Sequence, residues 1–296
     1  MTLHAIVAAL GGDLYAQGLR ANVPAPGHSA HDRSVSLWLS EGRVIVHGFG
    51  GADWREVLDD LRRRGLVDAE GRPTGLVGAS PSRPDRPDAR ARLAAALDVW
   101  ADSRPIRPGS LCARHLALRG VGRAPEGVLS LHGHPAAPLA VFQPRSPSRP
   151  ALVAGVRAAS GEICAVELTY LDAAGARDRR LRLSRKTVGL LPAGAAVRLD
   201  PPEPHLLVAE GVFTALSAGE AFGLPAWALL SVGNLRRWSP PPGTRRVLIA
   251  ADRGPAGEGA ALALATRLGA AGLAARIRLP PPPFGDWNEA RGPGGG

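Results

Sequence analysis

The chain has 296 residues, 45% of them hydrophobic, enough to bury roughly two or three modest cores. Its 36 basic residues outnumber 26 acidic ones, giving a formal charge of +10, and because Lys186 is the only lysine, arginine carries nearly all of the surplus. No apolar run approaches the roughly 20 residues that span a bilayer, which excludes a helical membrane protein, and the surplus favours a polyanionic partner through phosphate neutralisation.

In chain order, Met1 to Leu10 is apolar but short and lacks a basic leading segment. It reads as a first helix stopped by Gly11-Gly12 rather than as a secretion signal, and cytoplasmic residence is the expectation. Residues 53 to 64 predict a helix with Trp54, Val57, Leu58 and Leu61 on one face and Gly65 just past its end. The Pro-, Ser- and Arg-rich stretch 72 to 88 reads as a linker. Helical patterns return at Ala89 to Trp100 and Leu111 to Leu118, followed by strand-like segments at Leu139 to Phe142, Ala151 to Val156, Ile163 to Tyr170 and Arg180 to Leu183. Cys112 and Cys164 have neither metal-ligand spacing nor a disulfide framework, so both are expected to be buried small side chains. The closing glycine-rich segment 292 to 296 is expected to lack order.

One basic cluster stands out. Arg177, Arg179, Arg180, Arg182, Arg185 and Lys186 fall close together, and Arg180-Leu181-Arg182-Leu183 alternates with a strand period. Its arginines either contact phosphate or protect a sheet edge from pairing with other chains.

Two junctions near the C-terminus repeat one design. Leu206-Leu207-Val208-Ala209-Glu210-Gly211 and Val247-Leu248-Ile249-Ala250-Ala251-Asp252-Arg253-Gly254 each end a buried apolar run on a carboxylate and lead into an Ala/Leu-rich stretch of helical length. Glu210 and Asp252 are thereby placed at the carboxyl ends of parallel strands, the edge where open α/β sheets bind ligands. Two acids there can hold a divalent cation through oxygen. The alternative for each is a helix cap or first-turn acid, and Pro255 makes that reading specific for Asp252.

Glu210-Gly211-Val212-Phe213-Thr214-Ala215-Leu216-Ser217, Leu224-Pro225-Ala226-Trp227-Ala228 and Ala251-Asp252-Arg253-Gly254-Pro255-Ala256-Gly257 together resemble a Toprim domain, the catalytic fold of bacterial primases, topoisomerases and some nucleases. The resemblance implies that Glu210 is the acid/base or metal ligand and that Asp252 is the first acid of an Asp-x-Asp pair binding Mg²⁺ or Mn²⁺. Gly254 stands at the second acid's position, and Asp286, in Phe284-Gly285-Asp286-Trp287-Asn288, matches a further acidic motif that completes the metal set. The expected ligands are therefore Glu210, Asp252 and Asp286, with Glu210 and Asp252 catalytic. Nucleic-acid contacts are expected from Arg180, Arg182, Arg185, Lys186 and Arg253.

Nearer the N-terminus, Pro24-Ala25-Pro26-Gly27-His28 and Val44-Ile45-Val46-His47-Gly48-Phe49-Gly50-Gly51-Ala52-Asp53-Trp54 resemble the zinc-binding domain that precedes the primase core. Ala25, Gly48 and Ala52 occupy the cysteine positions and only His28 remains. A structural zinc site takes four protein ligands, so no zinc is expected. Trp38, Val44, Val46, Phe49 and Trp54 are expected to fill the ion's place, with His28, His31 and His47 at the surface.

The implied fold class is α/β: a degenerate zinc-ribbon-like domain over 1–71, a linker over 72–88, a primase-like α+β subdomain over 89–200, and a Toprim domain over 201–296 with helices flanking a parallel sheet. The chain carries no Walker-type loop, dinucleotide fingerprint or Gly-x-Ser-x-Gly elbow. The resemblance implies a protein that binds single-stranded DNA and nucleotides and synthesises primers by Mg-dependent nucleotidyl transfer in the replication of a phage, plasmid or mobile element. The alternatives are a Toprim nuclease and an inactive nucleic-acid-binding adaptor. A helicase, if needed, is expected to be a separate partner.

Overall fold

The computed structural model describes residues 2–28, 33–48, 53–74, 87–124 and 127–291. They fall into two compact units, divided near residue 86.

The first unit comprises α1 (His4–Leu10), β1 (Asp13–Tyr15), β2 (Arg20–Val23), β3 (Val35–Ser40), β4 (Arg43–Gly48) and α2 (Trp54–Arg63). The strands form an antiparallel meander in chain order. Its tight β3–β4 turn, Glu41-Gly42, has positive φ at both positions, the geometry that matches strand twist in two-residue hairpins. Alternation puts Ala21, Val23, Val35, Leu37 and Val44 on one face, where Leu3, Ile6, Val57 and Leu61 from the helices cover them.

Trp38 and Trp54 do not fill an ion's place in that core. Trp38 pairs with Arg20 and Ile45 along the opposite sheet face. Trp54, at the first position of α2, is 47% exposed beneath the Arg55 guanidinium. The buried stripe of α2 is set by the i, i+4 pair Val57 and Leu61, which leaves its first residue outside. Val44 is buried, Val46 packs against the core, and Phe49 lies outside the described residues. Ala25, at a cysteine position, is an apolar core residue. His28 and His47 are exposed, whereas His31 and Ala52 fall outside the described residues, as do 75–86 of the expected linker and the tail 292–296.

The second unit opens with α3 (Ala89–Asp102), β5 (Arg104–Pro105), α4 (Leu111–Leu118), β6 (Leu131–Pro138), β7 (Ser148–Arg157), β8 (Ile163–Tyr170) and β9 (Arg185–Gly189). These strands form one antiparallel sheet in chain order. Two expected strands are absent. Leu139 to Phe142 is a turn, because β6 ends at Pro138 and Ser146 Oγ takes the Ala140 N–H at 2.7 Å. Arg180 to Leu183 is also a turn. Asp178 accepts from the Arg180 N–H at 3.2 Å and from its guanidinium at 2.9 Å, a local side-chain bond that competes with strand pairing.

The chain continues through β10 (Val197–Arg198), β11 (His205–Ala209), α5 (Val212–Phe222), β12 (Ala226–Ala228), α6 (Val232–Arg237), β13 (Arg246–Ala250), α7 (Pro255–Ala270) and β14 (Ala274–Arg278). The second sheet has the order β10-β12-β11-β13-β14, parallel throughout except for the edge strand β10. One face carries α5; the other carries α6 and α7, through Leu235, Leu264 and Leu268. A single apolar core runs from Leu116, Leu131 and Leu152 beneath the antiparallel sheet to Leu207, Leu216 and Leu248 of the parallel one. Among the described residues no helix is long and apolar enough to cross a membrane.

Candidate metal and phosphate site

β11 and β13 are adjacent parallel strands, with Ala209 level with Ala250. Glu210 and Asp252 therefore leave the same sheet edge from neighbouring strands. The capping alternative for Asp252 is not realised. Gly254 is the N-cap of α7, and its N–H is taken by Glu258 Oε1 at 3.0 Å. Asp252 is free of that duty and accepts instead from Thr214 Oγ1, in the first turn of α5, at 3.4 Å. Gly257 permits the close approach of α7, since a Cβ there would lie 2.6 Å from the Asp252 carbonyl oxygen.

Asp286 arrives on the loop after β14. Its carboxylate accepts from the Asn288 and Glu289 N–H groups, both at 2.8 Å. The loop is anchored from two sides. The Arg253 N–H donates to Gly285 O at 2.8 Å and the Arg253 guanidinium to Pro280 O at 2.6 Å. Buried Asn288 donates to Arg119 O at 2.6 Å and to Ser217 Oγ at 2.9 Å.

Electrostatics tie the three acids together. Burial, then Asp286, then Glu210 push the Asp252 carboxyl up to about 6. Burial also raises Glu210, against the Val232 N–H and the Arg185 charge, which pull it down. Like charges beside a buried carboxylate favour a cation there. The donors are hard oxygens, as Mg²⁺ and Mn²⁺ require. Among the described residues no three His, Cys, Asp or Glu side chains converge into a preformed cage. The arrangement suits an ion that keeps much of its water and takes one or two carboxylates, with phosphate completing the shell.

Beside the acids lies a cleft of about 1200 Å³, with Asp286 and Phe213 on its wall. Arg119, Arg177, Arg179, Arg180 and Arg185 line it. The Arg119 guanidinium stacks over Phe213 at 4.8 Å, and its buried Nε has no hydrogen-bond partner among the described residues. His115 meets the same ring edge-on at 5.3 Å, and its Nδ1 lies 2.9 Å from Gly175 O, which makes Nδ1 the protonated nitrogen. Burial holds this imidazole below its ordinary range, which favours its neutral form.

Of the residues expected at the site, Glu210 and Asp252 leave one sheet edge and Asp286 stands on the loop after β14, with the charges of Glu210 and Asp286 both reaching Asp252, and Arg185 faces the cleft. Arg180 lines the cleft but is engaged by Asp178. Arg182 is not among the lining residues. Lys186 points to the other sheet face, over the Tyr170 ring, with Nζ donating to Leu139 O at 2.8 Å. The Arg253 guanidinium is spent on Pro280 O. Arg119 went unread because it follows a short helix and precedes Gly120, where an arginine looks like a charge placed on the helix dipole.

Residues 205–295 match the model of the Toprim domain, and residues 90–199 match a domain of unknown function, DUF7146. The C-terminal segment is a Toprim domain, an α/β fold whose sheet and acidic edge are those described above. Among solved structures the chain is similar to the primase fragment of the bacteriophage T7 primase-helicase protein, at 15% identity and a TM-score of 0.41, over 91% of this chain and 93% of that one. It is also similar to the zinc-binding and RNA polymerase domains of the Aquifex aeolicus primase, at 13% identity and a TM-score of 0.44, over 98% and 79%. The RNA polymerase domain of Mycobacterium tuberculosis primase DnaG, in complex with a double-stranded DNA oligomer bearing a 6-nucleotide overhang, gives 16% and 0.45 over 73% and 79%. No curated protein matches.

Proposed function

We propose that this chain is a primase-like Toprim protein that binds single-stranded DNA and nucleotides and catalyses Mg-dependent nucleotidyl transfer, making primers in the replication of a phage, plasmid or other mobile element. The observation that carries this reading is the junction at Asp286, where an acidic edge that favours a cation meets an arginine-lined cleft. Phosphates can there be held by arginine on one side and by a carboxylate-bound ion on the other. Asp252 and Asp286 are the residues that would hold Mg²⁺ or Mn²⁺, together with Glu210. When bound, the ion supplies charge neutralisation at a phosphoryl oxygen. Glu210, raised by burial, is the group suited to accept a proton from an attacking hydroxyl. Arg119, Arg177 and Arg185 orient the phosphates. On this reading a helicase is a candidate partner.

One observation favours a second reading. Gly254, at the second acidic position, sits at φ 115°, where side chains are strained, so this backbone is not built for an acid there. An adaptor that binds nucleic acid without chemistry accommodates that departure. Purified protein mixed with single-stranded DNA, labelled nucleotides and Mg²⁺ or Mn²⁺ separates the readings. Elongated product supports the primase, cleaved template a nuclease, and a gel shift alone the adaptor.

A further inference from the structure

One carboxylate near the cleft floor, Glu167, belongs neither to the acidic edge nor to any hydrogen bond among the described residues. It lies in the middle of β8, opposite Ala154 of β7 and Thr187 of β9. Arg185 stands on β9 opposite Thr169, two residues further along β8. The two-residue period therefore sets Glu167, Thr169, Arg185 and Thr187 on one face, with Glu167 and Arg185 as diagonal neighbours within reach of long side chains. Thr169 and Arg185 line the cleft, whereas Leu168 and Lys186 face the other way.

Buried Ala154 and Ala165 flank Glu167 on that face, and burial pushes its carboxyl above the ordinary range. Arg185 is the charge that draws it back. Arg185 makes no side-chain hydrogen bond or ion pair among the described residues, and its charge also reaches Glu210. Its charge thus reaches both an acid in the sheet and the first acid of the Toprim edge, and neither pairs with it among the described residues. A carboxylate in an apolar setting costs stability unless it serves a partner.

We propose that Glu167 is a positioning residue that aims the Arg185 guanidinium from the sheet floor into the cleft, where it contacts a phosphoryl oxygen beside the acidic edge. This rests on the phosphate-binding reading of the cleft. The proposal has a sign that simple electrostatics lacks. As a bare negative charge, Glu167 repels an anion, so its removal would tighten phosphate binding; as the group that orients Arg185, its removal loosens it.

The experiment is fluorescence anisotropy of a labelled single-stranded oligonucleotide in Mg²⁺, with wild type, Glu167→Gln, Arg185→Ala and the double variant. Glutamine keeps the size and removes the charge. Glu167→Gln is expected to weaken binding roughly three- to tenfold in the wild-type background and to leave it unchanged or slightly tighter once Arg185 is alanine, a dependence that a double-mutant cycle isolates. Arg185→Lys is not expected to restore affinity, because an ammonium lacks the planar fork. A merely structural role would move the unfolding temperature and weaken binding equally in both backgrounds. Unchanged or tighter binding by Glu167→Gln, or an equal loss with and without Arg185, overturns the proposal. If Arg185→Ala weakens binding while Glu167→Gln does not, the cleft reading stands and this inference alone falls. Absence of binding by wild type sinks both.

Discussion

Asp252 is the residue whose ionisation governs the acidic edge. With its carboxyl at about 6, a proton competes with any cation below that pH. The apparent Mn²⁺ affinity is expected to fall about tenfold for each pH unit below 6 and to level off above 7. Titration calorimetry at several pH values measures this, and a flat profile would remove Asp252 from the site. Stability has the opposite trend. The folded-state value is raised above the ordinary 3.8, so the contribution is fully present below about 4 and is lost as pH rises through 6. Asp252→Asn is therefore expected to raise the Tm at pH 7 by roughly 2–4 °C while abolishing metal binding. Gly254→Asp separates two effects in the same way. Among the described residues nothing lies within 4 Å of its Cβ position, so a further carboxylate fits and is expected to tighten Mn²⁺. Its φ of 115° costs about 1–3 kcal/mol in denaturant melts.

At the scale of elements, the Asp286 loop depends on Asn288, which joins it to α4 and α5. Asn288→Ala removes two hydrogen bonds from a residue 4% exposed and is expected to cost about 1–3 kcal/mol. It is also expected to weaken Mn²⁺ binding, since Asp286 loses its footing. Metal affinity equal to wild type would show that Asp286 acts only at a distance. The acidic edge is legible in the sequence because the strand-carboxylate-helix junction occurs twice, which capping at a single helix does not explain, and the segments around Glu210 and Asp252 carry the Toprim pattern. The cleft is much less so. Arg180 to Leu183 alternates like a strand, but Asp178 offers the backbone a nearer partner, and alternation cannot register that competition. Arg119 and Phe213 lie far apart in the sequence, and only the apolar core shared by the two sheets brings them together.

Across the molecule, on the phosphate-binding reading, the charge surplus is expected to act through the arginines that line the cleft rather than through every member of the densest run. Arg180 is engaged by Asp178, and Lys186 points to the other sheet face. Arg119→Ala or Arg177→Ala is expected to lower the salt slope of oligonucleotide binding by about one unit each, and Arg180→Ala by clearly less. Slopes from anisotropy at several salt concentrations check the ranking; an equal effect from all three would mean that the Asp178 pair opens on binding.

The apolar core shared by the antiparallel and parallel sheets bears on how the chain can be cut. The segments 90–199 and 205–295 match different families, yet Leu207, Ala209 and Leu216 of one are sealed by Leu131, Leu152 and Val156 of the other. Severed near residue 200, a Toprim fragment would present that apolar face to water and clump, whereas a fragment starting near 87 would keep its seal. The line between the two family matches runs through the middle of one compact unit, which is expected to melt as a whole.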